Sequence, residues 1–138
     1  MNAGDFFQDL YTTDMASDEL IVACEFPLQP STTVCAFEEL ARRHGDYAIV
    51  GLAAVAQASG PTLSNLRLVF LGAGNIPVRA KAVERVLEGK PLGAELLTQA
   101  QAALALELAP AADLYNSAEM KQHLAKVLLN RALAKLTA

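Results

Sequence analysis

The sequence predicts an α+β domain, in which an antiparallel sheet of about four strands is followed by three helices packed on it. Three observations lead to this fold class. Short apolar runs with β-branched residues dominate residues 20–71, turn-forming glycines and prolines separate them, and helical apolar spacing begins near residue 80. A block of strands before a block of helices favours an α+β layer arrangement. The length of 138 residues suits one domain, so we expect residues 1–138 to form a single domain.

The first two predicted strands form a hairpin. Leu20 to Phe26 is apolar and is closed by a proline, and Val34 to Leu40 follows after a turn cluster. In such a hairpin Cys24 and Cys35 would lie roughly opposite each other, as a packing pair of reduced thiols. The two cysteines have neither C-x-x-C spacing nor clustered histidines around them, so no metal site is expected.

The third and fourth predicted strands differ in pattern. Ile49 to Ala58 is apolar on both faces, which predicts a central strand that is covered on each side by closely packed neighbours. Asn65 to Leu71 alternates, with apolar residues on one face and Arg67 on the other. This alternation predicts a strand with one buried face.

Three helices are predicted after the strands. Pro77 suits the first turn of the first helix, and Gly89 suits its C-terminal cap. The second helix covers about Gly93 to Leu108. Asn116 is the predicted N-cap of the third, with Glu119 placed to reach back to it. The apolar stripe of the third helix consists of Met120, Leu124, Val127, Leu128 and Leu136.

Composition and charge exclude several function classes. The net charge of -4 argues against a nucleic-acid partner. No apolar stretch approaches the roughly 20 residues of a membrane span, and the N-terminus lacks a signal-peptide pattern, so the sequence predicts a cytoplasmic protein without a membrane partner. With 53% hydrophobic and 19% charged residues, the chain is expected to keep apolar surface for a partner or a second copy.

Two sequence motifs could carry catalysis or phosphate binding, and neither is favoured. Gly72-Ala73-Gly74 resembles the start of a phosphate loop, but Pro77 stands at the place of the third glycine, so a tight turn is favoured. Cys35, His44 and Asp46 could form a nucleophile set, yet the cysteine lies inside an apolar run at a distance from the other two. We therefore assign no catalytic residue.

The most distinctive local feature is a polar run that ends abruptly at Ala48. It contains Arg42, Arg43, Asp46 and Tyr47. One interpretation is an ordinary polar hairpin loop. The other is a loop that faces a planar or anionic ligand, because arginine forks suit phosphate and a tyrosine ring suits stacking.

Four segments occur in an order typical of a known family. They read FFQDLYTTDMASDELIVACEFP, FEELARRHGDYAIVGLAAVA, LGAGNIPVRAKAVERVLEGKPL and LLNRALAKL. Together they resemble the C-terminal domain of the FAD-binding medium subunit of molybdenum hydroxylases, the carbon monoxide dehydrogenase and xanthine dehydrogenase family. The resemblance covers essentially the whole chain and implies the same α+β fold.

This resemblance implies a role in a flavoprotein oxidoreductase, in which electrons pass from a molybdenum centre through iron–sulfur clusters to FAD. Arg42, Arg43, Asp46 and Tyr47 would form a lip over the flavin. FAD would be held mainly by an FAD-binding domain, which is absent from these residues, so the isolated chain is expected to bind no FAD and to lack catalysis. The implied partners are that domain, the iron–sulfur subunit and the molybdopterin subunit; a homo-oligomer is also allowed.

The chain departs from the family pattern at two places. Many members carry a lysine before the arginine pair, where this chain has Glu38 and Glu39, and a Tyr-Arg pair where it has Met120 and Lys121. The alternative function is a free-standing dimerisation or assembly module that keeps the fold without a flavin role.

Overall fold

The computed structural model describes residues 1–138 and contains a four-stranded antiparallel sheet with helices on one face. In chain order the elements are α1 (Ala3–Phe6), β1 (Phe7–Asp9), β2 (Thr12–Thr13), β3 (Thr33–Ala41), β4 (Ala48–Ser59), β5 (Thr62–Leu71), β6 (Val78–Arg79), α2 (Lys81–Leu87), α3 (Ala94–Glu107) and α4 (Ala118–Leu136). Strands β1 and β2 form a separate ribbon, and the main sheet has the order β3-β4-β5-β6. None of the helices combines the length and apolar character that a membrane crossing requires.

Strand β4 is the centre of the sheet and pairs with both β3 and β5 along most of its length. Ala54 lies opposite Ala36 on one side and opposite Leu68 on the other. Alternate residues of β4 are fully buried against the helices, and α4 packs across β4 and β3. Small side chains on this face let the helix approach the sheet closely.

The core lies between the sheet and helices α2, α3 and α4. Its largest fully buried side chains are Phe70, Leu52, Leu63, Leu68, Leu87, Leu104, Leu128, Leu129, Leu133 and Leu136. Helix α2 packs against α3 and β5, and α3 also contacts α4. Helix α3 lies within the predicted range, and Gly93 and Leu108 flank it as its caps. The α+β fold class is therefore confirmed.

The predicted hairpin at Leu20–Phe26 is wrong. Residues 20–30 carry no regular secondary structure and are exposed. The fourth strand of the sheet is instead β6, which lies at the other edge and pairs Val78 with Phe70 of β5. Strand propensity alone does not make a strand, because the backbone groups also need a paired neighbour. The predicted contact of the cysteines fails for the same reason: Cys35 lies opposite Val55, and both cysteines are exposed.

The predicted cover on both faces of β4 is also wrong. All the long helices lie on one face of the sheet, which leaves Ala53, Val55 and Gln57 on the other face only half-buried. Pro77 does not begin a helix, because the residues after it continue the sheet as β6 and α2 begins at Lys81. The predicted cap at Gly89 is present, with φ of 67° just beyond the end of α2.

The N-terminus of α4 lies one residue later than predicted. Ser117, rather than Asn116, is the N-cap, and its hydroxyl accepts a hydrogen bond of 3.1 Å from the backbone N–H of Met120. Met120 is half exposed and so does not belong to the buried stripe, whereas Leu128 and Leu136 do. A capping hydroxyl at this place satisfies one of the free N–H groups of the first turn.

Candidate functional site

The loop between β3 and β4 holds the residues that the sequence singles out. Arg42, Arg43 and Tyr47 are exposed on it, and Asp46 is half-buried. Gly45 has φ of 81°, a left-handed conformation that glycine adopts without steric cost. The Asp46 N–H donates to the Arg43 carbonyl at 3.1 Å, which closes a tight turn. The four predicted residues are therefore brought together.

The Asp46 carboxylate lies at the centre of this loop. Its Oδ1 accepts the backbone N–H of Tyr47 at 2.9 Å. Its Oδ2 lies 3.9 Å from Nη2 of Arg42 and 4.0 Å from Nε of Arg43, and it is shielded from solvent without a hydrogen bond. These separations exceed hydrogen-bond length, so the carboxylate attracts both guanidinium groups while their N–H donors remain free.

A second loop, between α3 and α4, reaches the same place. The guanidinium carbon of Arg42 lies 4.0 Å from the centroid of the Tyr115 ring, within the range of a cation–π contact. Sequence reasoning missed Tyr115, because nothing in local spacing links residue 115 to residue 42. The contact fixes Arg42 between an acid and an aromatic ring, whereas Arg43 stays free with its side chain 84% exposed.

Asp113 orders this second loop. Its carboxylate accepts the backbone N–H groups of Tyr115 at 2.8 Å and Asn116 at 2.9 Å, and it pairs with Lys121 at 2.9 Å. Lys121 also donates to the Ala111 carbonyl at 2.9 Å. The hydrogen bond from Lys121, followed by the one from Tyr115, holds the pKa of Asp113 well below its usual range. These hydrogen bonds and the ion pair between Asp113 and Lys121 thus hold the loop that carries Tyr115 in place.

Tyr47 completes the site with an unusual degree of exposure. It is 94% exposed and follows Asp46, whose carboxylate lies near both arginines. An apolar ring held in water is available for stacking, and neighbouring cations favour an anionic or polar planar partner. The arrangement is suited to binding and orienting a ligand rather than to bond cleavage.

The other motifs do not join this site. Cys35 lies on β3 opposite Val55, so about 20 Å of extended strand separates it from His44. The glycine turn after β5 leads into β6, and a Cβ added at Gly72 would lie 2.3 Å from the Ile49 carbonyl oxygen. Gly72 is therefore explained by close backbone packing. No group of three or more His, Cys, Asp and Glu side chains is placed to hold a metal ion.

The two glutamates that replace the family's lysine point to opposite faces of β3. Glu38 is buried on the helix side and pairs with Lys135 of α4, whereas Glu39 is exposed on the other side. The Glu38 carboxylate therefore joins the strand to the last helix, and it does not oppose the arginines of the loop.

Comparisons with known proteins agree with this structure. A family model described as the CO dehydrogenase flavoprotein C-terminal domain matches residues 35–136. The caffeine dehydrogenase subunit beta of Pseudomonas sp. (strain CBB1) is 32% identical, over 95% of this chain and 44% of that protein. The carbon monoxide dehydrogenase medium chain of Afipia carboxidovorans is 32% identical, over 99% of this chain and 47% of that protein.

Solved structures show the same likeness. A carbon monoxide dehydrogenase structure from Hydrogenophaga pseudoflava superposes with a TM-score of 0.89 at 32% identity, over 96% of this chain and 46% of that one. Quinoline 2-oxidoreductase from Pseudomonas putida 86 gives a TM-score of 0.86 at 28% identity, with the same coverage of both chains. The chain thus spans about half the length of the relatives that it matches. It belongs to the CO dehydrogenase flavoprotein C-terminal domain family, a family of the molybdenum hydroxylases.

Proposed function

We propose that these residues act as the C-terminal domain of an FAD-containing subunit in a molybdopterin-dependent hydroxylase or dehydrogenase. The domain closes one side of the FAD site and packs against partner domains during electron transfer. Family membership supports this role, since the related proteins are medium chains and FAD-binding subunits of dehydrogenases. The observation that carries the proposal is the exposed loop in which Tyr47 stands beside two arginines.

The residues of this loop fit a flavin. The isoalloxazine ring is planar and carries carbonyl oxygens, and an exposed tyrosine ring can cover such a surface. Arg43 can donate to an anionic oxygen of the cofactor without leaving the Asp46 carboxylate unpaired, because Arg42 also lies 3.9 Å from that carboxylate. FAD supplies the redox chemistry when it is bound. This chain orients the ring edge and keeps water away from it.

The remaining contacts to FAD come from a separate FAD-binding domain, and residues 1–138 form a single domain that neither binds FAD alone nor catalyses a reaction. The partners are that domain, an iron–sulfur subunit and a molybdopterin subunit. Apolar surface for such partners is present on the segment from Leu20 to Leu28, whose large side chains are exposed, and around Phe37 on the outer face of the sheet. Covering such surface drives association.

The alternative function is a dimerisation or assembly module without a flavin role. The observation in its favour is the same outer sheet face, where Phe37 is exposed beside half-buried Ala53 and Val55. A second copy of the chain could cover this face. In that case sedimentation of the purified chain should show a dimer, and no flavoprotein should accompany it.

The proposal is tested with an affinity-tagged chain purified from its own cells together with the proteins that assemble with it. We expect FAD in the purified assembly, measured by absorbance near 450 nm. Replacing Arg43 or Tyr47 by Ala should alter the flavin spectrum, or its reoxidation rate after reduction with dithionite. Arg131→Ala is the matched control, because Arg131 is an exposed arginine on α4 outside the loop.

Arg43→Ala should cost the isolated chain less than about 1 kcal/mol of unfolding free energy, since exposed charges contribute little. A variant that unfolds the domain while leaving the flavin kinetics unchanged would show that Arg43 is structural. A purified chain that is yellow with stoichiometric FAD would contradict the division of FAD binding between two domains.

A further inference from the structure

A second polar cleft lies between β5 and α2. It is separate from the loop between β3 and β4. Its volume is about 310 Å³, and three arginines and two glutamates dominate its walls. The lining residues are Asn65, Leu66, Arg67, Arg79, Glu84, Arg85 and Glu88. Nothing in the proposed function uses this cleft.

The two glutamates already accept hydrogen bonds from other residues of the chain. Glu84 accepts the buried backbone N–H of Leu68 at 2.9 Å and a two-point contact from Arg79, with N–O distances of 2.9 Å. Glu88 accepts the N–H groups of Asn65 at 2.7 Å and Leu66 at 3.2 Å. These carboxylates satisfy the edge of β5 where β6 no longer reaches. Arg79 offsets the charge of Glu84, whereas Glu88 is held by neutral N–H groups.

The three arginines differ in whether they have a partner within the chain. Arg79 is paired with Glu84, although its side chain remains 47% exposed. Arg67 and Arg85 take part in none of the ion pairs of the chain and in none of its side-chain hydrogen bonds. Two free guanidinium groups therefore line one cleft of a protein whose net charge is -4. The lining of three arginines and two glutamates carries a net charge of +1, and the N–H donors of Arg67 and Arg85 remain available to an anion.

We propose that this cleft binds a phosphate group, held by Arg67 and Arg85 with Arg79 at its edge. Guanidinium forks match the oxygen geometry of phosphate and can each donate two hydrogen bonds to it. The anion would accept hydrogen bonds from the free N–H donors of Arg67 and Arg85, while Glu84 and Glu88 keep their partners on the chain. The same group can belong to inorganic phosphate or to a phosphate monoester.

Calorimetric titration of the full chain at constant ionic strength and pH 8 tests this proposal with inorganic phosphate, AMP and adenosine. We expect saturable binding of phosphate or AMP, no binding of adenosine, and at least a tenfold loss of affinity in both Arg67→Gln and Arg85→Gln. Arg131→Gln should bind as the parent chain does. AMP that binds tenfold more tightly than phosphate identifies a monoester ligand, and equal affinities identify the free anion.

Two results would overturn the proposal. One is the absence of saturable binding for both phosphate and AMP. The other is equal binding by the parent, the Arg67→Gln variant and the Arg85→Gln variant. Both substitutions are at exposed positions, and unchanged melting curves would verify that the variants are folded. Failure of this test leaves the flavin proposal untouched, because the two sites share no residue.

Discussion

Both faces of strand β4 are largely apolar, but they have different environments. On the inner face Val50, Leu52, Ala54 and Ala56 of β4 are fully buried beneath the helices. On the outer face Ala53 and Val55 of the same strand are only half-buried. A sheet with one face in water usually carries polar residues on that face. The helices therefore account for the apolar residues of the inner face, and we propose that a partner covers those of the outer face.

The largest effect should come from deleting a side chain of the inner face. Phe70 on β5 is fully buried. Phe70→Ala should lower the free energy of unfolding by about 3–5 kcal/mol, because it removes apolar contacts and leaves a cavity. Phe37→Ala is the matched control on the outer face, where 56% of the residue is exposed, and it should cost far less. Urea denaturation measures both, and equal losses would contradict the distinction between the faces.

A smaller effect should follow from adding volume. Ala54 is fully buried on the face of β4 against which α4 packs. Ala54→Leu should overpack this interface and cost roughly 1–3 kcal/mol. Ala53→Leu places the same side chain on the other face one residue away, where there is room for it. The two variants should therefore separate in thermal melting, and identical midpoints would show that α4 does not pack tightly.

Two neighbouring glutamates of β3, Glu38 and Glu39, allow the inner and outer faces to be compared with polar residues. Glu38 faces the helices and pairs with Lys135, while Glu39 faces outward. Glu38→Ala should cost about 1 kcal/mol, since it removes a largely buried carboxylate, and Lys135, which loses its partner, remains solvated. Glu39→Ala should change the unfolding free energy by less than about 0.5 kcal/mol. If Glu39→Ala cost more unfolding free energy than Glu38→Ala in denaturant melts, Glu39 rather than Glu38 would face the helices.

Periodicity in the sequence predicts those parts of the fold that depend on local spacing. The alternation from Asn65 to Leu71 places Leu66, Leu68 and Phe70 in the core and Arg67 outside, as the structure shows. The bounds of α3 and the glycine cap of α2 also follow from local signals. The polar run that ends sharply at Ala48 predicts the loop from Arg42 to Tyr47. In the structure the Asp46 carboxylate lies near both arginines and accepts the backbone N–H of Tyr47.

Features that depend on distant partners could not be predicted in this way. Strand β6 has only two residues, and its pairing with β5 gives no periodic signal. Tyr115 reaches Arg42 through the packing of two loops that are far apart in sequence. Asn116 does not cap α4, because its side-chain amide donates to the Asp113 carboxylate at 3.1 Å, and Ser117 takes the place of the cap.

The smallest effect is expected in the exposed segment, which the sequence predicts as a strand and the structure leaves unpaired. Val22 is 94% exposed, and the backbone around it makes no ladder contacts. Val22→Ser should therefore change the unfolding free energy of the isolated chain by no more than about 0.5 kcal/mol. If this surface is covered in the assembly, the same substitution should weaken co-purification of the partner domain, because burying a valine contributes about 1.5–3 kcal/mol. Loss of more than 1 kcal/mol in the isolated chain would instead indicate that the segment pairs with β3 in solution, as the predicted hairpin requires. Hydrogen exchange at residues 20–26 distinguishes the two cases, since only paired N–H groups would be protected.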